Sequence, residues 1–161
     1  MEQADGISLC DFTRPIALAQ LYRTRCAQLP TACGVYVVLR SCAGVPEFLF
    51  KSDAGWFKGQ NPTYPAEVVR ANWIPAATVV YVGKAAGQKG FRARVRQLVD
   101  FGFGKPVGHR GGRLLWHLAD FGELQLCWRE CPGSRADSVE TSMIADFRAV
   151  HCARPFANMA K

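Results

Sequence analysis

Cys33 to Arg40 reads CGVYVVLR, and Thr78 to Lys84 reads TVVYVGK. Both runs are β-branched and apolar with a single tyrosine each, which predicts two strands, the first buried on both faces. Side chains alternate along a strand, so Gly34 and Tyr36 share one face of the first run, and Tyr81 and Gly83 share one face of the second. Each phenol then lies beside a glycine, which leaves room for another backbone or a ligand to approach closely. A strand tyrosine is by itself core material, but a phenol in a pocket can orient water or transfer its proton.

Working outward, Pro15 to Tyr22 has a helical pattern with Thr13 placed as its N-cap, and this helix ends before Pro30. Between the two strands, residues 41–77 are weakly patterned. A short strand is expected at Glu47 to Phe50, turns at Gly55, Gly59, Asn61 and Pro62, and a short helix from Pro65 to Trp73. A helix is expected from near Gly90 through Val99, followed by a glycine-rich loop from Gly102 to Gly112. The state of Arg113 to Leu118 is left open. Leu124 to Cys131 alternates as a third strand. Ser134 with Asp137 three residues on resembles a capping box opening a helix that runs to about Cys152. Three strands interleaved with helices give one α/β (α+β) domain over residues 1–161. Its expected core is a small, three-stranded, mostly antiparallel sheet flanked by helices, with residues 1–31 as an N-terminal helical extension.

The composition excludes several classes. A chain of 161 residues with ordinary apolar and charged fractions fits a single globular domain, and no apolar run approaches the ~20 residues of a membrane span. Met1 to Asp5 is acidic and lacks an apolar leader region, so the cytosol is the expected compartment. The seven cysteines (10, 26, 33, 42, 127, 131, 152) are odd in number, scattered and free of any C-x-x-C pair, and read as reduced small hydrophobes. Cys127 and Cys131 would suit zinc only on a helix or a tight knuckle.

The net charge of +7 is localised. Lys84, Lys89, Arg92, Arg94, Arg96, Lys105, Arg110 and Arg113 face one acid, Asp100, in the window 84–113, while the rest of the chain balances twelve basic against twelve acidic residues. One basic segment on an otherwise neutral domain is the footprint expected for a polyanion; anionic lipid and phosphorylated small molecules remain open on this signal alone.

Within that segment Phe91, Val95, Leu98 and Val99 form an apolar stripe, with Arg94 at its margin. A guanidinium ordered there by packing suits a phosphate bidentately; alternatively it snorkels over the core edge. On the last helix Glu140, Met143, Ile144 and Phe147 share one face. An ionised carboxylate in core company needs a cation, which Arg94 or a Mg²⁺ ion could supply.

Gly34-Val35-Tyr36 and Tyr81-Val82-Gly83 resemble the two triplets that name the GIY-YIG nuclease superfamily. The resemblance continues in order through Lys84-Ala85, the helix Gly90-Phe91-x-x-Arg94, Glu140, and the closing turn Pro155-Phe156-Ala157-Asn158, and so spans roughly Gly34 to Asn158. It departs from the family in the long interval 41–77, which looks inserted between the first two core strands, and in about three extra residues around Gly87-Gln88-Lys89. Arg92 and Arg96 are fallback candidates for the arginine. The resemblance implies a metal-dependent endonuclease that hydrolyses DNA phosphodiesters with a single Mg²⁺ (or Mn²⁺) on Glu140. Arg94 would stabilise charge in the transition state, and Tyr36, assisted by Tyr81, would orient or deprotonate water. As a base, a phenol with an ordinary pKa near ~10 would need depression by Lys84 or the metal. Asn158 would pin the glutamate or the phosphate, and His109 is a further candidate for the site or else a surface-loop histidine. Lys89, Arg92, Arg96, Lys105, Arg110 and Arg113 would contact nucleic acid. Specificity would come from 41–77, from the loop 102–113, from a homodimer partner or from an unlinked subunit. The alternative reading is a non-cleaving nucleic-acid-binding module with a nuclease-like fold; a third is a basic partner-binding domain.

Overall fold

A computed structural model describes residues 2–42 and 44–159. It begins with a small hairpin, β1 (Gln3–Ala4) and β2 (Ile7–Ser8), followed by β3 (Ile16–Ala17), α1 (Leu18–Arg23) and β4 (Gly34–Leu39). Then come α2 (Ala66–Asn72), β5 (Val79–Ala85), α3 (Gly90–Gly102), 3-10 turns at Arg113–His117 and Phe121–Glu123, β6 (Gln125–Glu130) and α4 (Gly133–His151). The chain is α+β. Its main sheet is antiparallel throughout, in the order β3-β6-β4-β5.

β4 lies at the interior of that sheet with all six residues buried, as its unbroken apolar run requires. The pleat sends Tyr36 and Val38, with Tyr81 and Trp128, into a core shared with α1 and α3. The alternate residues Val35, Val37 and Leu39, with Val82 and Cys127, meet Met143, Ile144 and Phe147 of α4 and the N-terminal hairpin. A sheet covered on both faces leaves its edges as the places where polar groups can gather. Among the described residues no helix is long and apolar enough to cross a membrane.

β5 is an edge strand, and the C-terminal turn covers that edge. The Ala157 N–H donates to the Val80 carbonyl (2.9 Å). The Asn158 side chain accepts from the Val82 N–H through Oδ1 (2.9 Å) and donates to the Val82 carbonyl through Nδ2 (2.8 Å). One amide thus satisfies both outward backbone groups of Val82, as a neighbouring strand would.

Several expectations are corrected. The segment at Pro15 does not start a helix: Ile16–Ala17 pairs with β6 as a fourth strand, and α1 begins only at Leu18. Thr13 caps nothing helical; its hydroxyl accepts from the Trp128 N–H (3.2 Å), so pairing to β6 outcompetes an early helical turn. Within the expected 1–31 extension, the described residues from Glu2 on are therefore hairpin, edge strand and short helix rather than a helical extension. Glu47 to Phe50 contributes only an isolated bridge, Phe48 to Leu118. The capping box is absent: α4 starts at Gly133 after Pro132 with no side-chain cap, and Asp137 turns to Lys84 instead. Cys127 and Cys131 fall on and just after β6, in neither of the settings that suit zinc, and all seven thiols are free.

Residues 41–77 are docked rather than loose. Trp73 meets both Phe48 (5.8 Å between ring centroids) and Phe156 of the C-terminal turn (5.4 Å) edge-on. His117 is fully buried, accepts the Tyr64 N–H at Nε2 (3.0 Å), and from Nδ1 donates to the Leu49 carbonyl (3.0 Å).

Candidate active site

Where β5 ends, α3 flanks one face of the sheet and α4 the other, and a hollow of about 420 Å³ opens between them. Tyr81 and Lys84 come to it from β5, Arg94 from α3, and Glu140 and Ile144 from α4. Arg110, Gly111 and Arg113 reach it from the glycine-rich loop, Ala157, Asn158 and Met159 from the C-terminus, and Tyr64 from the 41–77 segment. The two-residue period explains why one strand serves two helices: Tyr81 faces α3, whereas Lys84 lies on the alternate face and points to α4.

Glu140 is 8% exposed, and beside it stands a cation that the sequence did not single out for it. The Lys84 ammonium donates to its carboxylate (2.9 Å) and also bonds Asp137, one helical turn earlier on α4. This pairing offsets the cost of burying the carboxylate and holds it on the wall of the hollow.

The two phenols are close, with ring centroids 6.0 Å apart, but they do not share the hollow equally. Tyr81 lines it. Tyr36 is 0% exposed and stands one layer deeper, its hydroxyl without a hydrogen-bond partner of good geometry among the described residues. The register places Tyr36 directly opposite Gly83, and a Cβ at Gly83 would collide with the ring and come within 2.6 Å of the hydroxyl. The room that Gly83 leaves is therefore taken by Tyr36, not by a ligand. Gly34 likewise makes way for Phe91 and the Arg129 carbonyl.

Burial raises the pKa of Tyr36, with Arg94 pulling the other way, and burial next to Tyr36 raises that of Tyr81 well above the ordinary phenol value. The protein's own groups therefore do not supply the depression that a phenolate base needs, and in the chain alone both phenols stay neutral. Either can then donate a hydrogen bond.

His109 is not a surface-loop residue. It is 2% exposed, packed against Phe101, and lies off the hollow's wall with both ring nitrogens unpartnered among the described residues. Burial, then the charge of Arg94, lowers its pKa to about 3. Its carbonyl accepts from Arg113 Nε and Nη2 (3.2 and 3.1 Å), which aims that guanidinium.

Asn158 reaches the hollow, but its amide is committed to Val82 rather than to the glutamate. The basic residues divide. Lys84, Arg94, Arg110 and Arg113 line the hollow. Lys84 and Arg94 also border a second hollow of about 400 Å³ that runs past Lys89 along α3. Arg92 donates to the Leu29 and Ala27 carbonyls, and both Arg96 (3.6 Å) and Lys105 (2.9 Å) pair with Asp100, so these three are partly engaged within the fold.

Two residues of the site went unread in the sequence. Tyr64 sits in a stretch whose prolines and asparagine signal only turns, although an aromatic residue between Pro62 and Pro65 is a rigidly presented one. Gly111 is the other: a Cβ there would strike the Tyr81 hydroxyl and lie 3.5 Å from Arg94 Nη2, so the loop closes over both groups only because it is glycine.

No family model, no curated protein and no solved structure matches the chain.

Proposed function

We propose that this hollow is the active site of a GIY-YIG-type endonuclease that hydrolyses DNA phosphodiesters, built on a three-stranded core (β4, β5, β6) with β3 as an addition. The observation that carries the reading is the convergence of Tyr81, Lys84, Arg94 and Glu140, from one strand and two helices, on a single hollow.

The chain's donors fit a divalent ion of modest protein coordination. Glu140 offers a hard carboxylate on the wall, and Mg²⁺ accepts one or two protein carboxylates with its other positions on water and phosphate; among the described residues no group of three or more His, Cys, Asp or Glu is placed to hold an ion. Mg²⁺ or Mn²⁺ bound there would supply Lewis-acid charge at the scissile phosphate and the leaving 3′ oxygen. The remaining roles belong to the protein. Arg94 presents its planar fork to the non-bridging phosphoryl oxygens and balances the charge that grows there. Lys84 holds the Glu140 carboxylate in place through their ion pair. Tyr81, neutral because it is buried, donates its O–H to the attacking water or to a phosphoryl oxygen and so fixes the line of attack. Tyr36 braces Tyr81 from within. Water oxygen bonds to phosphorus as the P–O3′ bond breaks; the proton that the water sheds passes to solvent and the 3′ oxygen takes one up from solvent, leaving a 5′ phosphate and a 3′ hydroxyl.

A non-cleaving nucleic-acid-binding module is the second reading, favoured by the Lys84 ammonium already seated on the Glu140 carboxylate. Incubation of the protein with supercoiled plasmid separates the two. Nicking that requires Mg²⁺ or Mn²⁺, stops on chelation and falls ~10²-fold or more in Arg94→Lys supports the nuclease. Salt-sensitive binding with no nicking under any divalent ion supports the module.

A further inference from the structure

We propose that Tyr64 is a stacking platform for a nucleobase, and that the substrate is DNA carrying an unpaired nucleotide next to the scissile phosphate, as in a flap, a gap or a single strand. This rests on the nuclease reading of the hollow and adds its substrate class.

The hollow has two chemistries on its wall. Lys84, Arg94, Arg110 and Arg113 suit phosphate, whereas the half-buried Tyr64 offers aromatic surface that phosphate cannot use. A flat apolar group joined to a phosphate is a nucleoside. Tyr64 is built to receive one because its position is fixed from both sides. Its N–H is held by the buried His117 ring (3.0 Å), which is itself tied to Leu49 (3.0 Å). The preceding Thr63 hydroxyl accepts from the Ser52 N–H (3.1 Å), and Pro65 leads directly into α2. The His117 ring meets Tyr64 in a T-shaped contact at 6.3 Å rather than stacking on it. An aromatic ring so fixed loses little freedom when a base settles on it.

The shape selects the same substrate. In a continuous duplex every base face is covered by its neighbours, so a ring inside a hollow can reach a face only when the base has left the stack. The second hollow shares Lys84 and Arg94 with the first and continues past Gln88, Lys89 and Gln97. The two hollows thus border the same two cations. A single strand passing those cations would set one phosphate at Arg94 and the adjoining base on Tyr64, and base–aromatic stacking of this kind tolerates any sequence.

The test uses the full chain in EDTA, so that no cutting is needed, with flap, gapped, single-stranded and continuous-duplex oligonucleotides. These carry 2-aminopurine at successive positions, whose fluorescence is quenched on stacking. The expected result is quenching at one unpaired position, retained by Tyr64→Phe and lost in Tyr64→Leu. The Leu variant should also bind the flap and gapped substrates about tenfold more weakly, with continuous-duplex affinity unchanged. Absence of quenching at every unpaired position in the wild type would overturn the proposal, as would quenching that survives in a folded Tyr64→Leu protein. If the Leu variant does not fold, the wild-type and Tyr64→Phe profiles decide. Tyr64-dependent quenching in a protein that cuts nothing would support the platform and refute the nuclease. Cutting of continuous duplex at the flap rate without quenching would do the reverse.

Discussion

At Gly83 a hydrogen atom occupies the place where any other residue would drive a carbon into the Tyr36 ring. Tyr36 is fully buried and cannot swing clear, so Gly83→Ala should destabilise the fold by ~1–3 kcal/mol of overpacking, read as a lower midpoint in urea unfolding; an unchanged midpoint would contradict that packing. His109 gives a pH-dependent counterpart. Its pKa is about 3 in the fold against an ordinary 6.5, so the folded state holds fewer protons than the unfolded chain between those limits. Its contribution to stability is complete above the ordinary value and lost as pH falls toward the folded one. His109→Leu should therefore flatten the acid slope of unfolding free energy between pH 6 and 4 by about 1.4 kcal/mol per pH unit. Parallel slopes in the two proteins would place the burial of His109 in doubt. Tyr81, Arg94 and Glu140 were legible one by one from strand and helix spacings, whereas Lys84 and the grouping of all four came from the resemblance to the GIY-YIG triplets. The partner of each was not legible. What fills the space beside a glycine, or which backbone an asparagine amide meets, depends on strand register and on the path of the tail, and neither is a local property of the sequence.

Among elements, β4, β5, β6, α3 and α4 announce themselves by periodicity, since each buries a continuous run or stripe, whereas α2 buries only Val69. β3 and the start of α4 give no such signal. Two residues of strand at Ile16–Ala17 exist because β6 offers an edge to pair with, and α4 starts without its capping box because it opens at Gly133, which puts Ser134 inside the first turn rather than at the N-cap. The 41–77 segment was the least legible, because its order comes from long-range contacts: the Phe48, Trp73 and Phe156 cluster and the His117 staple. His117→Phe keeps an aromatic ring but removes both hydrogen bonds, a loss of ~1–3 kcal/mol to the segment. Amide exchange at Leu49 and Tyr64 should then quicken about tenfold or more, while β4 and β5 keep their protection. Unchanged exchange at Tyr64 would mean that the staple does not hold the segment.

Across the whole molecule, the basic window 84–113 pointed to a polyanion, and the fold distributes it unevenly. Arg110 lines the first hollow and Lys89 the second, while Arg96 and Lys105 share Asp100. Lys89→Glu and Arg110→Glu should each weaken DNA binding on all sequences alike and lower the slope of log affinity against log salt by about one. A slope that does not change would remove that residue from the phosphate path. The central claim is that the carboxylate held between Lys84 and the hollow carries the metal-assisted chemistry. Its most direct test is the single-turnover rate of Glu140→Ala on a flap substrate at saturating protein with Mg²⁺ or Mn²⁺. The account predicts that cleavage is abolished, or slowed by a factor on the order of 10³, while affinity measured in EDTA stays within a few-fold of wild type. Cleavage by Glu140→Ala at the wild-type rate would contradict it.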